Sequence, residues 1–240
     1  MKKSSLRHTA EKFEIPYIDI SLSRGAKTNS WISPIDCRAV RVEDAVLDSF
    51  KLNGWRGYGG EGGLILNLIK AMSFEKIAPR NRSTYIEALY AQNVAFDEDR
   101  FPPEELLNNV AKADTRTIER NFDLMASREN ISYESEGISF TSSTSMLDFF
   151  PRLERWMFIE LFKVAGNELI YNIASKFIQA PYEYRRGWPD LTIWRDNELK
   201  FVEVKAPGDK LQNSQKVIIE NFAKPFGLNF VLAGVIETNA

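Results

Sequence analysis

Gly187-Trp-Pro-Asp190 and Phe201-Val-Glu-Val-Lys205 are the two stretches that decide how this 240-residue chain folds. Between them run Leu191-Thr-Ile-Trp-Arg195, rich in β-branched and aromatic residues, and the polar turn Arg195-Asp-Asn-Glu198. The pattern predicts a hairpin, with one strand over 191–195 and a second over 199–205. Pro189 cannot donate a ladder hydrogen bond and therefore suits a strand entry. Side chains alternate along a strand, so Phe201, Glu203 and Lys205 share one face and Val202 and Val204 the other. Asp190, at the mouth of the first strand, comes up beside Glu203 and Lys205. Two carboxylates and an ammonium meeting there make a site for a divalent cation, a water and a phosphodiester.

The residue types suit that chemistry. Hard cations such as magnesium and manganese take oxygen ligands, so Asp190 and Glu203 are the expected donors. A bound cation polarises a phosphoryl oxygen and lowers the pKa of a coordinated water. Lys205 is placed to orient or deprotonate that water, or to stabilise negative charge in the transition state. A Glu-x-Lys on an exposed strand is ordinarily no more than a pair of solvated charges. Here the strand is apolar, follows a Pro-Asp and ends at Ala206-Pro-Gly-Asp209. A helix is expected over 211–224, and its apolar stripe of Leu211, Ile218, Ile219 and Phe222 also carries the amide of Gln215. Residues 229–236 read as a last, buried strand. Together these features favour a metal-dependent nuclease over a solvated strand.

Composition narrows the field. A hydrophobic fraction of 44% supports a sizeable core, and 27% charged residues is ordinary for a soluble protein. No apolar run approaches the length of a membrane span, and residues 1–12 lack the apolar region of a secretory signal. A single cysteine, Cys37, excludes an internal disulfide and a thiolate zinc site. The lone histidine, His8, argues against His-based zinc catalysis, a Ser-His-Asp triad and an HNH nuclease. A cytoplasmic protein without membrane contact is expected. The net charge of −2 does not advertise nucleic-acid binding, so phosphate contacts would be local. Arg185 and Arg186 precede the motif, Lys210 and Lys216 follow it, and Arg80 and Arg82 form a further basic pair.

Upstream, residues 1–41 read as an irregular arm with room for one short strand. Val42, Ala45, Val46 and Phe50 repeat at helical spacing over 41–52. Gly54-Trp-Arg-Gly-Tyr-Gly-Gly-Glu-Gly-Gly63 then leads to a helix over 61–72, with Leu64, Ile65, Leu68 and Met72 on its apolar face. The spacing puts Glu61 on the buried side, where it either complements the helix dipole or reaches the metal. No Gly-Lys-Ser/Thr follows the glycines, which excludes a P-loop. Residues 80–150 are helical and less hydrophobic, with a helix start at Pro102-Pro103-Glu-Glu105, a helix over 114–127 and a short hairpin or strand over 131–140. Helices over 153–165 and 169–179 lead back to the motif. The expected organisation is an arm over 1–41 and one nuclease domain over 42–240, with a helical insertion at about 80–165.

Three blocks of the chain resemble the VRR-Nuc domain of the PD-(D/E)xK nuclease superfamily, and within it the Fanconi-anaemia-associated nuclease and its bacterial counterparts. The first is Val42-Glu-Asp-Ala-Val-Leu-Asp-Ser-Phe50 leading into Gly54-Trp55 and Glu61-Gly62. The second is Arg185-Arg-Gly-Trp-Pro-Asp-Leu-Thr-Ile-Trp194, and the third is Phe201-Val-Glu-Val-Lys-Ala-Pro-Gly-Asp-Lys-Leu211 with Gln215 on the next helix. The resemblance implies a restriction-endonuclease-like α/β core: a central mixed β-sheet flanked by helices, carrying a helical insertion. It implies that Asp190, Glu203 and the backbone carbonyl of Val204 bind metal, that Lys205 is the catalytic lysine, that Glu61 is the helix acid and that Gln215 supports the site. Magnesium or manganese would be the cofactor. Flapped or branched DNA, at single-strand/duplex junctions, would be the partner in repair or recombination. Compact phage members that resemble dimeric Holliday-junction resolvases would draw the helix acid from Glu154 or Glu160 instead. The glycine-rich setting of Glu61 favours the larger relatives. The sequence does not give the oligomeric state, and a monomer is the slightly favoured expectation. Trp188 stands where the family often has a smaller or aliphatic residue. A junction resolvase, a restriction-type endonuclease and a dormant DNA-binding module are the alternatives.

Overall fold

The computed structural model describes residues 5–26, 30–135 and 137–238. In chain order its elements are α1 (Ser5–Phe13), β1 (Tyr17–Ser23), β2 (Trp31–Ile32), β3 (Ala39–Val40), α2 (Val42–Leu52), β4 (Arg56–Gly59) and α3 (Gly63–Met72). Then come α4 (Ile86–Tyr90), α5 (Pro103–Lys112), α6 (Thr115–Ala126), β5 (Ile131–Ser135), β6 (Ile138–Ser142), α7 (Arg155–Phe177) and α8 (Pro181–Tyr184). The chain closes with β7 (Leu191–Arg195), β8 (Glu198–Lys205), α9 (Asn213–Ile218), α10 (Lys224–Phe226) and β9 (Phe230–Thr238). Two compact units result, one of residues 1–62 and 186–240 and the other of 63–185.

The first unit is built on a five-stranded sheet in the order β1-β9-β8-β7-β4. β9 runs parallel to β1 and β8, and β7 runs antiparallel to β8 and β4. This is the mixed sheet flanked by helices that the sequence predicts. β7 and β8 form the expected hairpin, with Leu191 opposite Val202, Arg195 opposite Glu198, and Asp196 left-handed (φ 53) in the turn. Val202 and Val204 enter a core with Leu191, Ile193, Val231, Ala233 and the α2 residues Ala45, Val46 and Leu47. Phe201 lies on the other face, its ring 6.3 Å from that of Trp188, which in turn sits 5.1 Å from Phe222. The helix carrying Phe222 continues from α9 through a π-helical turn, Ile219–Ala223, into α10, and left-handed Gly227 ends it.

Three local features differ from the sequence reading. Tyr17–Ser23, within the expected arm, pairs along its whole length with β9 and is an edge strand of the sheet. The glycine-rich stretch contains β4, which can pair with β7 because Gly57 has no side chain. A Cβ there would stand 2.3 Å from the Thr192 carbonyl oxygen and 2.7 Å from the Ile193 Cα. α3 begins at Gly63, two residues later than its apolar spacing suggests, because Glu61 (φ 35) and Gly62 (φ 77) are left-handed. That delay takes Glu61 off the buried stripe and leaves it exposed.

The second unit is helical apart from the β5–β6 hairpin. α3 is buried along its full length, apolar on nearly every side. Its one cation, Lys70, donates to the carbonyls of Arg82 (2.9 Å) and Thr84 (2.5 Å), and burial pushes its pKa down to about 7. Asp114 caps α6 by accepting the Thr117 N–H at 2.8 Å. α7 breaks at Gly166 (φ 73), which yields the two helical stretches read from the sequence. Among the described residues, no helix is long and apolar enough to cross a membrane.

Candidate metal and catalytic centre

The candidate site lies wholly in the first unit. Asp190 precedes β7, and its carbonyl accepts the Gly60 N–H at 2.8 Å, which continues the β4–β7 pairing by one residue. Asp190 Oδ2 accepts the Val204 N–H at 2.8 Å, so the carboxylate is tied to the strand that carries Glu203. Glu203 and Lys205, two apart on β8, project to one side as the alternation requires. Both are buried, Glu203 to 1% exposure. Lys205 Nζ lies 2.7 Å from Glu203 Oε1. Gln215 Nε2 donates to the same oxygen at 2.5 Å. The Gln215 amide has one orientation, because its Oε1 accepts the Gln212 N–H at 2.8 Å in a capping box. Glu203 Oε2 is buried and has no hydrogen-bond partner among the described residues.

Burial dominates the electrostatics. It pushes the Asp190 pKa up to about 6 against the Val204 hydrogen bond, with help from the charges of Glu43 and Glu61 and opposition from Lys205. Glu203 is raised well above an ordinary glutamate by burial first and by the Asp190 charge second, and Lys205 offsets only part of this. Two neighbouring carboxyls that resist ionising together, one with an orphaned oxygen, are short of positive charge. A divalent cation would supply it, and the donors here are all oxygen, the type that hard cations take. Among the described residues, no group of three or more His, Cys, Asp and Glu side chains stands ready to hold a metal. Two carboxylates still fit magnesium, which keeps several waters and takes one or two carboxylates from the protein.

The other expected residues fall in several places. Glu61 is on the turn before α3, near enough for its charge to act on Asp190. Gly62 beside it is packed so closely on Trp188 that a Cβ would lie 2.5 Å from the Trp188 Cβ and 2.6 Å from its Cγ. Trp188, 1% exposed, therefore packs the loop before Asp190 against the turn that carries Glu61. Arg186 and Lys210 are exposed, and Lys216 bonds to Asn213 Oδ1 at 3.0 Å. Arg185 belongs to the second unit, where it pairs with Glu87 at 3.0 Å and lies over the Tyr182 ring. Arg80 and Arg82, read as a surface basic pair, are both committed internally. Arg80 grips both oxygens of Asp99 at 2.9 Å, and buried Arg82 donates to the carbonyls of Glu129, Ser142 and Thr144. Glu154 and Glu160 stand at the start of α7 and on its second turn, in the second unit.

Glu43 is a charged neighbour of the candidate site that sequence reasoning missed. It sits in the first turn of α2, and among charged groups its effect on Asp190 ranks ahead of those of Lys205 and Glu61. An acid at a helix start reads as a complement to the dipole, and nothing in linear spacing links it to residue 190. Arg41, just before it, bonds to Asp44 at 3.2 Å and also feels the Asp190 charge.

Residues 150–236, which contain Asp190, Glu203, Lys205 and Gln215, match the VRR-NUC domain family. The Fanconi-associated nuclease 1 homolog of Dictyostelium discoideum is 25% identical over 203 residues, an alignment covering 75% of this chain and 18% of that protein. The crystal structure of paFAN1 bound to 2-nt 5′-flap DNA with a gap superposes with a TM-score of 0.65 at 16% identity. A second, with 1-nt 5′-flap DNA, gives 0.59 at 17%. Each superposition covers 95% of this chain and 38% of the paFAN1 chain, so the likeness is one of fold over part of a longer protein. The matched segment therefore carries these four residues on or beside the mixed sheet, and over it the chain is similar to the VRR-NUC domain family.

Proposed function

We propose that the chain is a metal-dependent, structure-selective DNA nuclease that hydrolyses phosphodiester bonds at flaps or branches. The observation that carries this reading is the buried, unpartnered Oε2 of Glu203 beside Asp190, with Lys205 on the opposite oxygen. Asp190 and Glu203, with the Val204 carbonyl, would hold magnesium or manganese, and Glu61 and Glu43 would add negative potential around it. When bound, the cation supplies Lewis-acid activation of the phosphoryl oxygen and of a water. Lys205, held by Glu203, keeps its ammonium at the buried end of the site, where it orients the attacking water or stabilises charge on the phosphate. Gln215 fixes the Glu203 carboxylate by occupying one of its oxygens. Exposed Arg186 and Lys210, and half-buried Lys216, would contact the DNA backbone. Support for flapped DNA comes from the paFAN1 structures, whose chains are bound to 5′-flap DNA.

The test is cleavage of labelled single strand, duplex, 5′ flap, 3′ flap and four-way junction, each with magnesium, manganese or chelator, beside Glu203→Ala. Cutting of the 5′ flap that needs metal and disappears in the variant is the expected result. Symmetric cutting of the junction alone would make the chain a resolvase. No metal-dependent cutting of any substrate, with binding intact, would make it a dormant DNA-binding module.

A further inference from the structure

We infer that Gly187 is a positioning residue for Glu203, acting through Gln215. The inference rests on Glu203 being a metal ligand, as proposed above. Gly187 is left-handed (φ 82), and a Cβ on it would stand 2.3 Å from both the carbonyl carbon and the oxygen of Ser214, and 2.7 Å from the Gln215 nitrogen. These are backbone atoms of the first turn of α9, so they cannot swing aside as a side chain would. The loop before Asp190 therefore lies directly on the peptide that launches Gln215.

That contact has a consequence at the other end of the Gln215 side chain. Its Oε1 is committed to the Gln212 N–H, so Nε2 is the donor left for Glu203 Oε1. Glu203 Oε1 then holds two donors, Gln215 and Lys205, while Oε2 holds none. One oxygen is saturated by the protein and the other is reserved. A methyl at 187 would have to move by about 1 Å to reach ordinary contact, and that displacement takes the Gln215–Glu203 bond to the limit of hydrogen bonding. Freed of Gln215, the Glu203 carboxylate can rotate and lose the single orientation it presents to a cation.

The experiment measures Mn2+ affinity of the full chain without DNA, by electron paramagnetic resonance, for wild type, Gly187→Ala, Gln215→Ala and the double variant. Gly187→Asn is added because Asn tolerates a left-handed backbone, which separates the steric contact from φ strain. Each single variant should weaken Mn2+ binding about tenfold. The double variant should bind no more weakly than Gln215→Ala alone, because both act on one bond. Additive losses, or wild-type affinity in Gly187→Ala and Gly187→Asn, would overturn the inference. A second readout is the Gln215 side-chain amide in a 15N-resolved NMR spectrum, followed at a temperature where circular dichroism shows each variant folded. Its short bond should give a shifted resonance that moves in Gly187→Asn as it does in Glu203→Gln, and an unmoved resonance would also overturn the role of Gly187. If wild type binds no Mn2+, the metal-site reading fails, and the amide resonance still decides whether Gly187 sets the Gln215–Glu203 bond.

Discussion

The Val204 N–H donates to Asp190 Oδ2 at 2.8 Å, and this bond joins the two strands of the hairpin exactly where their acids meet. A hydrogen bond to a carboxylate normally lowers its pKa, yet Asp190 sits at about 6 because burial outweighs it. Its folded pKa therefore lies above the ordinary 3.8. Ionisation then costs the folded state nothing below pH 4, increasingly more between 4 and 6, and its full amount above 6. Asp190→Asn keeps an acceptor for Val204 and removes that cost. In chelator, the variant should melt above wild type at pH 8, and the gain should vanish as pH falls to 4. A gain that grew on acidification would contradict the assignment.

Removing the other partner has the opposite sign. Lys205→Met leaves Glu203 Oε1 with Gln215 as its remaining donor and strips the buried carboxylate of its compensating charge. The expected loss is about 3 kcal/mol in urea unfolding near pH 8. It should shrink at pH 5, where Glu203, already raised by burial, takes up a proton more readily.

If Asp190 and Glu203 hold the metal as proposed, protons and metal compete for the same two carboxyls. Mn2+ affinity by calorimetry should fall as pH is lowered from 8 to 5, through about 6, the value for Asp190, with the raised Glu203 adding to the loss. The slope should approach tenfold per pH unit for each proton displaced. Affinity that stayed level down to pH 5 would place the cation elsewhere.

Basic residues that look alike in sequence should separate in experiment. Arg82→Met abandons three carbonyls in the second unit and should cost about 3 kcal/mol of stability. Arg186→Ala and Lys210→Ala, at exposed positions, should leave the melting temperature within a degree or so of wild type. Each should instead reduce the salt dependence of DNA binding by about one counterion. Equal effects of all three on stability would show that the exposed pair is structural.

Much of the core was legible because its signals are local. Alternation along 199–205 separated Glu203 and Lys205 from Val202 and Val204, and the two helical stretches read over 153–165 and 169–179 fall on either side of the break in α7 at Gly166. The β1 alternation of Ile18, Ile20 and Leu22 with Asp19, Ser21 and Ser23 was also present, but an edge strand paired only with the far end of the chain gives no neighbouring turn to announce it. β4 was hidden because a strand made of Arg-Gly-Tyr-Gly owes its pairing to close backbone approach and not to propensity. Glu43 and the internal duties of Arg80 and Arg82 depend on tertiary placement, which residue spacing does not encode.

β1 also sets the order in which this protein can finish folding. Ser23 and Thr238 are joined across 215 residues of chain, so the outer edge of the sheet waits for its last strand to be synthesised. The segment 63–185 is continuous and meets no such delay. On the ribosome, the helical unit would be complete while the segment ahead of it still lacked β7, β8 and β9, and Asp190 and Glu203 had yet to emerge. Assembly of the carboxylate pair is thus a late, long-range event, and slow closure of the sheet is the step at which this chain is most exposed to misfolding.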